Sequence, residues 1–348
     1  MPDPISYLKA SVAAMVASAM IVLAFRLILR NSVHSSAAVI CVLAVGGGVV
    51  AGYGVLQFSW TWPPVNALNR FLMIVLPATL VVELLAAVPG GDEAVSIRIL
   101  TNSATKKSRS RWAHGFRLAL YASVGRILLH DSVYLGDVGN DHPDEWTFTQ
   151  AVAVFGGSFL GLITSWSLLC RLSERSATGS ITVSLAMAIQ CTGLATMMAG
   201  YIKGGAAAIP LTAALLGTIL SSALLLNGFG DSDKRYLQGT IGIGVIGLFS
   251  LLCIGHYFGQ LTGLRAIVLF LTPLLCWISE LPGLRSRPAW QKSGVRLIAV
   301  TMVLSAVLLS AKQDFDRKMA PLLVGVGSPR TMINCRCSTF GCENLHPG

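Results

Sequence analysis

The chain has 348 residues, of which 53% are hydrophobic and only 12% charged, and its mean hydropathy is +0.67. An average soluble domain carries roughly 25% charged residues, so too little polar material remains to clothe a soluble fold of this length. The net charge of +10 does not point to nucleic acid, because Lys and Arg fall in short loops between apolar runs and form no basic stripe with interleaved aromatics.

Taken in order, the apolar runs predict about ten membrane spans, since a helix needs roughly 20 residues to cross the hydrocarbon layer. The first covers about 10–29. Ala17-Ser18-Ala19 resembles a signal-cleavage site, but Asp3 opposes Lys9 before the apolar run, and Arg26 and Arg30 follow it. That charge order predicts a retained span with its N-terminus outside. The second span covers 36–56, and Trp60, Trp62, Pro63 and Pro64 after it suit a turn at headgroup level. The third, 71–88, holds Pro77 as an expected kink and one carboxylate, Glu83. The fourth, 114–130, is the weakest, because it contains Arg117 and Arg126; its alternative is a basic amphipathic helix lying on the membrane surface. Further spans follow at 148–170, 181–202, 206–226, 239–258, 265–281 (with Pro273 inside) and 297–311. The sequence thus predicts an all-α polytopic bundle over 1–311, with no sizeable soluble domain, and a flexible polar tail over 312–348.

Lys and Arg alternate between loops with a strong bias. One side collects fifteen, including five between Arg98 and Arg111 and four between Arg285 and Arg296; the other collects Lys9, Arg70, Lys203 and Arg265 before the tail. The positive-inside tendency then predicts a cell (plasma or inner) membrane protein with both termini on the non-cytoplasmic side. The bias also supports the fourth span, without which every later loop would change sides. Lys312, Arg317 and Lys318 in the tail run against this assignment. Ten spans divide into five plus five, as in transporters built from repeats, but comparing the two halves by inspection shows no similarity.

Several residues are candidates for chemistry. Glu83 lies about five residues from the inner end of its span, so about 7.5 Å along the helix from that end. Lipid penalises an ionised group, so it should face protein or a water-filled path. Arg126 and Arg117 are its candidate partners, Arg117 being the better match in depth. Gln190, His256 and Glu280 are isolated polar residues in later spans, placed for helix cross-linking or a solute path. Gly242-Ile243-Gly244-Val245-Ile246-Gly247 satisfies GxGxxG, but inside an apolar run it reads as close helix packing and not as a dinucleotide site. No cofactor is expected.

The loop from Asp131 to Glu145 is acidic and flanked by His130, yet its spacing does not fit a calcium loop. Cys335, Cys337, Cys342 and His346 in the tail depart from zinc spacings, so no metal site is expected. There is no GxSxG, HExxH or GxxxxGK[ST] motif. The leading expectation is a transporter or permease for a small solute or ion. The alternatives are a membrane-embedded enzyme acting on lipid-linked substrates and a structural or assembly protein without catalysis. Expected partners are the lipid bilayer, a small solute or ion, and a second copy of the chain, with no nucleic acid.

Overall fold

In the computed structural model, residues 4–28, 33–58, 62–87, 103–135, 146–175, 178–226, 238–281 and 288–327 are described. Among them there is no strand, and ten helices build the molecule. These are α1 (Pro4–Ile28), α2 (Val33–Val55), α3 (Ala67–Ala87), α4 (Ser103–Leu129) and α5 (Phe148–Arg175). They continue with α6 (Thr178–Met198), α7 (Ile202–Ala206 followed by Ala208–Leu226), α8 (Gln238–Tyr257), α9 (Gly263–Glu280) and α10 (Ala289–Gly327). All but α4 are long and apolar enough to cross a membrane.

The centre of the bundle is α8, which is buried on nearly every side. A helix apolar all round has no face for water and settles in the core. Its glycines let neighbours approach: a Cβ on Gly244 would overlap Leu185 of α6, and one on Gly247 would overlap Leu211 of α7. The GxGxxG run is therefore occupied by helix packing. A second close contact joins α1, α2 and α7. Ala10, Ala14 and Ser18 recur every four residues on α1, facing Gly48 and Gly52 of α2 and Ala214 of α7. A Cβ on Gly48 would lie 2.7 Å from the Ala14 carbonyl oxygen and 2.9 Å from Ala214 Cβ. Backbone cannot swing aside as a side chain can, so Gly48→Ala should lower stability by about 1–3 kcal/mol. Gly54, one and a half turns away, has open space beside it. Gly54→Ala should be neutral or stabilising by up to ~1 kcal/mol. Thermal unfolding of both variants in one detergent checks the contrast.

Two helices are irregular at their prolines. In α3 a π-helical segment, Phe71–Val75, precedes Pro77, and the helix then continues to Ala87. The proline ring would crowd the carbonyl of Met73, four residues back, and the widened turn makes room for it. In α9 the α-helix ends at Leu271 and Thr272–Glu280 tightens to a 3-10 helix with Pro273 in its first turn. Thr79 and Thr272 donate to the carbonyls of Val75 and Val268 beside these breaks.

The expected fourth span, 114–130, lies within the longer α4, whose first turns carry Lys106, Lys107, Arg109 and Arg111. Two ion pairs fix its course. Arg70 near the start of α3 pairs with Asp131 just past the end of α4, and Glu83 near the end of α3 pairs with Arg117. The helices are therefore antiparallel, clamped at two levels about 20 Å apart, and α4 runs alongside α3 over that length. α9 and α10 form a second hairpin of the same design. Arg265 at the start of α9 pairs with Asp314 in the last half of α10, and Glu280 at the end of α9 meets Arg296 near the start of α10. Comparing the chain as five plus five misses this likeness, because the hairpins stand six spans apart.

α10 is longer than the expected 297–311. Thirty-nine residues make a helix of about 58 Å, nearly twice a hydrocarbon layer of about 30 Å. Residues 312–327, expected in a flexible tail, are helical. Arg265 holds Asp314 and Lys318 donates to Gln260 at 2.8 Å, tying this extension to the turn before α9. The tail cysteines and most of the acidic loop lie outside the described residues.

Candidate functional site

Glu83 sits on the face of α3 turned toward α4 and α8, and it is 1% exposed. Arg117 of α4 meets it with two parallel bonds: Nε donates to Oε1 at 2.9 Å and Nη2 donates to Oε2 at 2.5 Å. A planar guanidinium fits a carboxylate in this way, and the two bonds fix orientation as well as charge. The carboxylate needs a recess, which α8 supplies. A Cβ on Gly242 would overlap Glu83 Oε1, and Gly239 lies one turn earlier on the same face. Val42 of α2 closes the other side of Gly239.

The surroundings of Arg117 are rich in donors. Its Nη1 and the second hydrogen on Nη2 have no protein acceptor among the described residues. Tyr121, one turn further along α4, is 2% exposed, and its hydroxyl has no partner among the described residues. Trp166 of α5 lies under the guanidinium, with Arg117 Cζ 5.0 Å from the ring centroid, and its buried Nε1 also lacks a partner among the described residues. The Tyr121 and Trp166 rings meet edge to face at 6.1 Å. His114 flanks Trp166 at the same centroid distance, and Cys170 of α5 lies within electrostatic reach of both Glu83 and Arg117.

The other sequence candidates stand apart from this site. Arg126 is exposed on α4 and does not approach Glu83. Gln190 is half-buried in α6. His256 at the end of α8 is bonded through Nδ1 to the Leu261 carbonyl at 2.8 Å and meets the Tyr257 ring edge to face. It belongs to an aromatic group in which Tyr134, Trp146 and Tyr257 lie within 5.4 Å of one another. Trp146 N–H also donates to the Tyr134 carbonyl, so this group pins both ends of the acidic loop. At that end of the bundle Asp131 accepts from Arg70 at 2.7 Å and lies 2.8 Å from His130 Nδ1. Arg70 also bonds the His130 carbonyl.

Arg296 was expected in a loop, yet it is 1% exposed, because α10 begins at Ala289 and carries it two turns into the bundle. Its Nε donates to Ser279 Oγ at 2.6 Å and to the Cys276 carbonyl at 3.2 Å, and Nη1 donates to Ser180 Oγ at 3.2 Å. Glu280 is the more distant partner at 3.4 Å. Arg296, Tyr121 and Trp166 are the residues that sequence reasoning missed. Arg296 had a signal in its counterpart: the first hairpin reads Arg70, six residues, Pro77, five residues, Glu83, and the second reads Arg265, seven, Pro273, six, Glu280.

Comparison of the chain with protein-family models, curated proteins and solved structures found no significant match. The site has to be read from its own chemistry. It joins a fixed negative charge, a fixed positive charge and hydrogen-bond donors without a partner among the described residues in a largely buried space. That arrangement can exchange a partner or a proton. Among the described residues no group of three or more His, Cys, Asp or Glu is placed to hold a metal ion.

Proposed function

We propose that this multi-pass membrane protein is a transporter or permease for a small solute or ion, with the Glu83–Arg117 pair closing its path. The observation that carries the reading is the buried two-bond pair at the junction of α3, α4 and α8, beside donors left without partners. An intramembrane ion pair is expensive to maintain and is a functional site by default. Two further features support the reading. The π-helical segment lies in the helix that carries Glu83, and such segments recur at functional sites. α9 departs from regular α-helix in its second half, as do the discontinuous helices of many transporters. The Lys and Arg bias puts the Ala87 end of α3, and therefore the pair, toward the cytoplasmic face, with both termini outside.

One observation favours a second reading, a structural or assembly protein without chemistry: Arg70, Arg117, Arg265 and Arg296 each have a carboxylate partner. Aqueous access separates the two. In a protein whose other seven cysteines are replaced by Ser or Ala, Cys170 serves as a reporter beside the pair. A membrane-impermeant thiol reagent should label it in inverted vesicles and not in intact cells. Labelling only from the cell exterior would reverse the orientation. No labelling from either side, in a protein that inserts and purifies normally, would leave the second reading standing and remove the first.

A further inference from the structure

The donors around Arg117 specify what the site takes. Three groups ask for an acceptor: the unused N–H groups of Arg117, the Tyr121 hydroxyl and the Trp166 indole N–H. Indole and guanidinium nitrogens can only donate. Each Glu83 oxygen already accepts a bond from Arg117, and among the described residues no other acceptor is bonded to these groups. A cation would find only the carboxylate that Arg117 holds. An occupant with acceptor oxygens, flat enough for the guanidinium fork, fits the demand, and a carboxylate is the simplest such group.

Charge decides what must accompany it. The pair is neutral as it stands. Glu83 is packed against Gly239 and Gly242, and α8 brings no charged group to it; Val42 of α2 lies on the other side of Gly239. From α4 it faces Arg117, with Tyr121 and His114 nearby, and from α5 Cys170, with Glu174 beyond. Within this set Arg117 is the one permanent cation. If an incoming carboxylate takes Arg117, Glu83 is left as a second negative charge without a counter-ion where it is buried, a state that burial strongly disfavours. Arg117 cannot lose its proton, whereas a carboxylate can gain one.

Resting on the transporter reading, we infer that the Glu83–Arg117 site binds a small monocarboxylate together with one proton. The carboxylate bonds to Arg117, Tyr121 Oη and Trp166 Nε1, and the proton goes to Glu83. The step balances: one anion and one proton enter, the Glu83–Arg117 bonds are exchanged for anion–Arg117 bonds, and the net charge of the site is unchanged. Coupling is a consequence of burial and needs no separate proton site.

The test uses the purified full-length protein in detergent at pH 7, weakly buffered, with potassium acetate as probe and potassium chloride and phosphate at matched ionic strength as comparisons. Tryptophan fluorescence reports binding, and an indicator dye reports protons. Wild type should take up about one proton per acetate bound. Glu83→Gln, which mimics the protonated carboxyl, should bind acetate at least about tenfold more tightly and without proton uptake, since Arg117 then lacks its internal competitor. Tyr121→Phe, which removes a hydroxyl with no partner and so should fold as wild type, should weaken acetate binding roughly tenfold.

Three results would overturn the inference: no response to acetate in wild type or Tyr121→Phe, equal responses to acetate, chloride and phosphate, or acetate binding without proton uptake in wild type. Failure here leaves the transporter reading intact if Cys170 is accessible from one side. Acetate binding with an inaccessible Cys170 would instead keep the site and remove the path.

Discussion

Replacing Glu83 by Leu should destabilise the protein more than replacing Arg117 by Leu, and the double replacement should recover much of the loss. Breaking a buried pair by removing one partner costs about 3–5 kcal/mol, because the remaining charge is stranded. The two partners differ in what they can do when stranded. A guanidinium stays charged under all accessible conditions, while a carboxyl can neutralise itself by taking a proton. Glu83→Leu should therefore sit near the top of that range and Arg117→Leu below it. With both removed no charge is buried, and leucines fill much of the volume, so the pair should show a coupling of ~2 kcal/mol or more. Thermal unfolding of the four proteins in one detergent measures the cycle. Additive losses would mean that the two groups do not depend on each other.

The second large effect is expected at Arg296. Three of its four partners are uncharged: Ser279, Ser180 and the Cys276 carbonyl, at 2.6 to 3.2 Å. Glu280 lies further off at 3.4 Å and is itself partly exposed. The guanidinium thus ties α6, α9 and α10 together mainly through hydroxyl and carbonyl dipoles. Arg296→Met keeps an unbranched, though shorter, side chain and removes every donor. It should cost about 3 kcal/mol, the sum of several charge-assisted bonds and the acceptors left unpaired. Glu280→Gln should cost less than ~1 kcal/mol, as a long and partly solvated contact does. If Glu280→Gln proved as harmful as Arg296→Met, the carboxylate would be the main partner and the hydroxyls accessory.

How much of this was legible in the sequence follows from what lipid demands of a chain. Nine helices announce themselves because a span needs continuous apolar length, and Glu83 stands out because a carboxylate in such a run has few excuses. Depth along α3 and α4 was enough to prefer Arg117 over Arg126. Tyr121 and Trp166 were not legible. An aromatic in an apolar helix reads as packing, and only the structure tells whether its polar atom has found a partner. Arg296 was misplaced by a helix boundary, the least certain feature of any sequence reading. The likeness of the two hairpins was present throughout, hidden by one extra residue on each side of Pro273 and by a spacing of six spans.

The clamped hairpin of α3 and α4 also bears on how the chain reaches the membrane. Arg117 and Arg126 make α4 a poor candidate to leave the translocon for lipid alone, at roughly 2.5–3.5 kcal/mol for each arginine near the bilayer centre. α3 carries the carboxylate that answers Arg117, Glu83, and it anchors the far end of α4 through Arg70 and Asp131. It is synthesised first, and the linker between the two helices is only 88–102. The earlier helix is in effect the receptor for the later one, so that α4 is held in the bundle by charges on a neighbour and not by its own apolar composition.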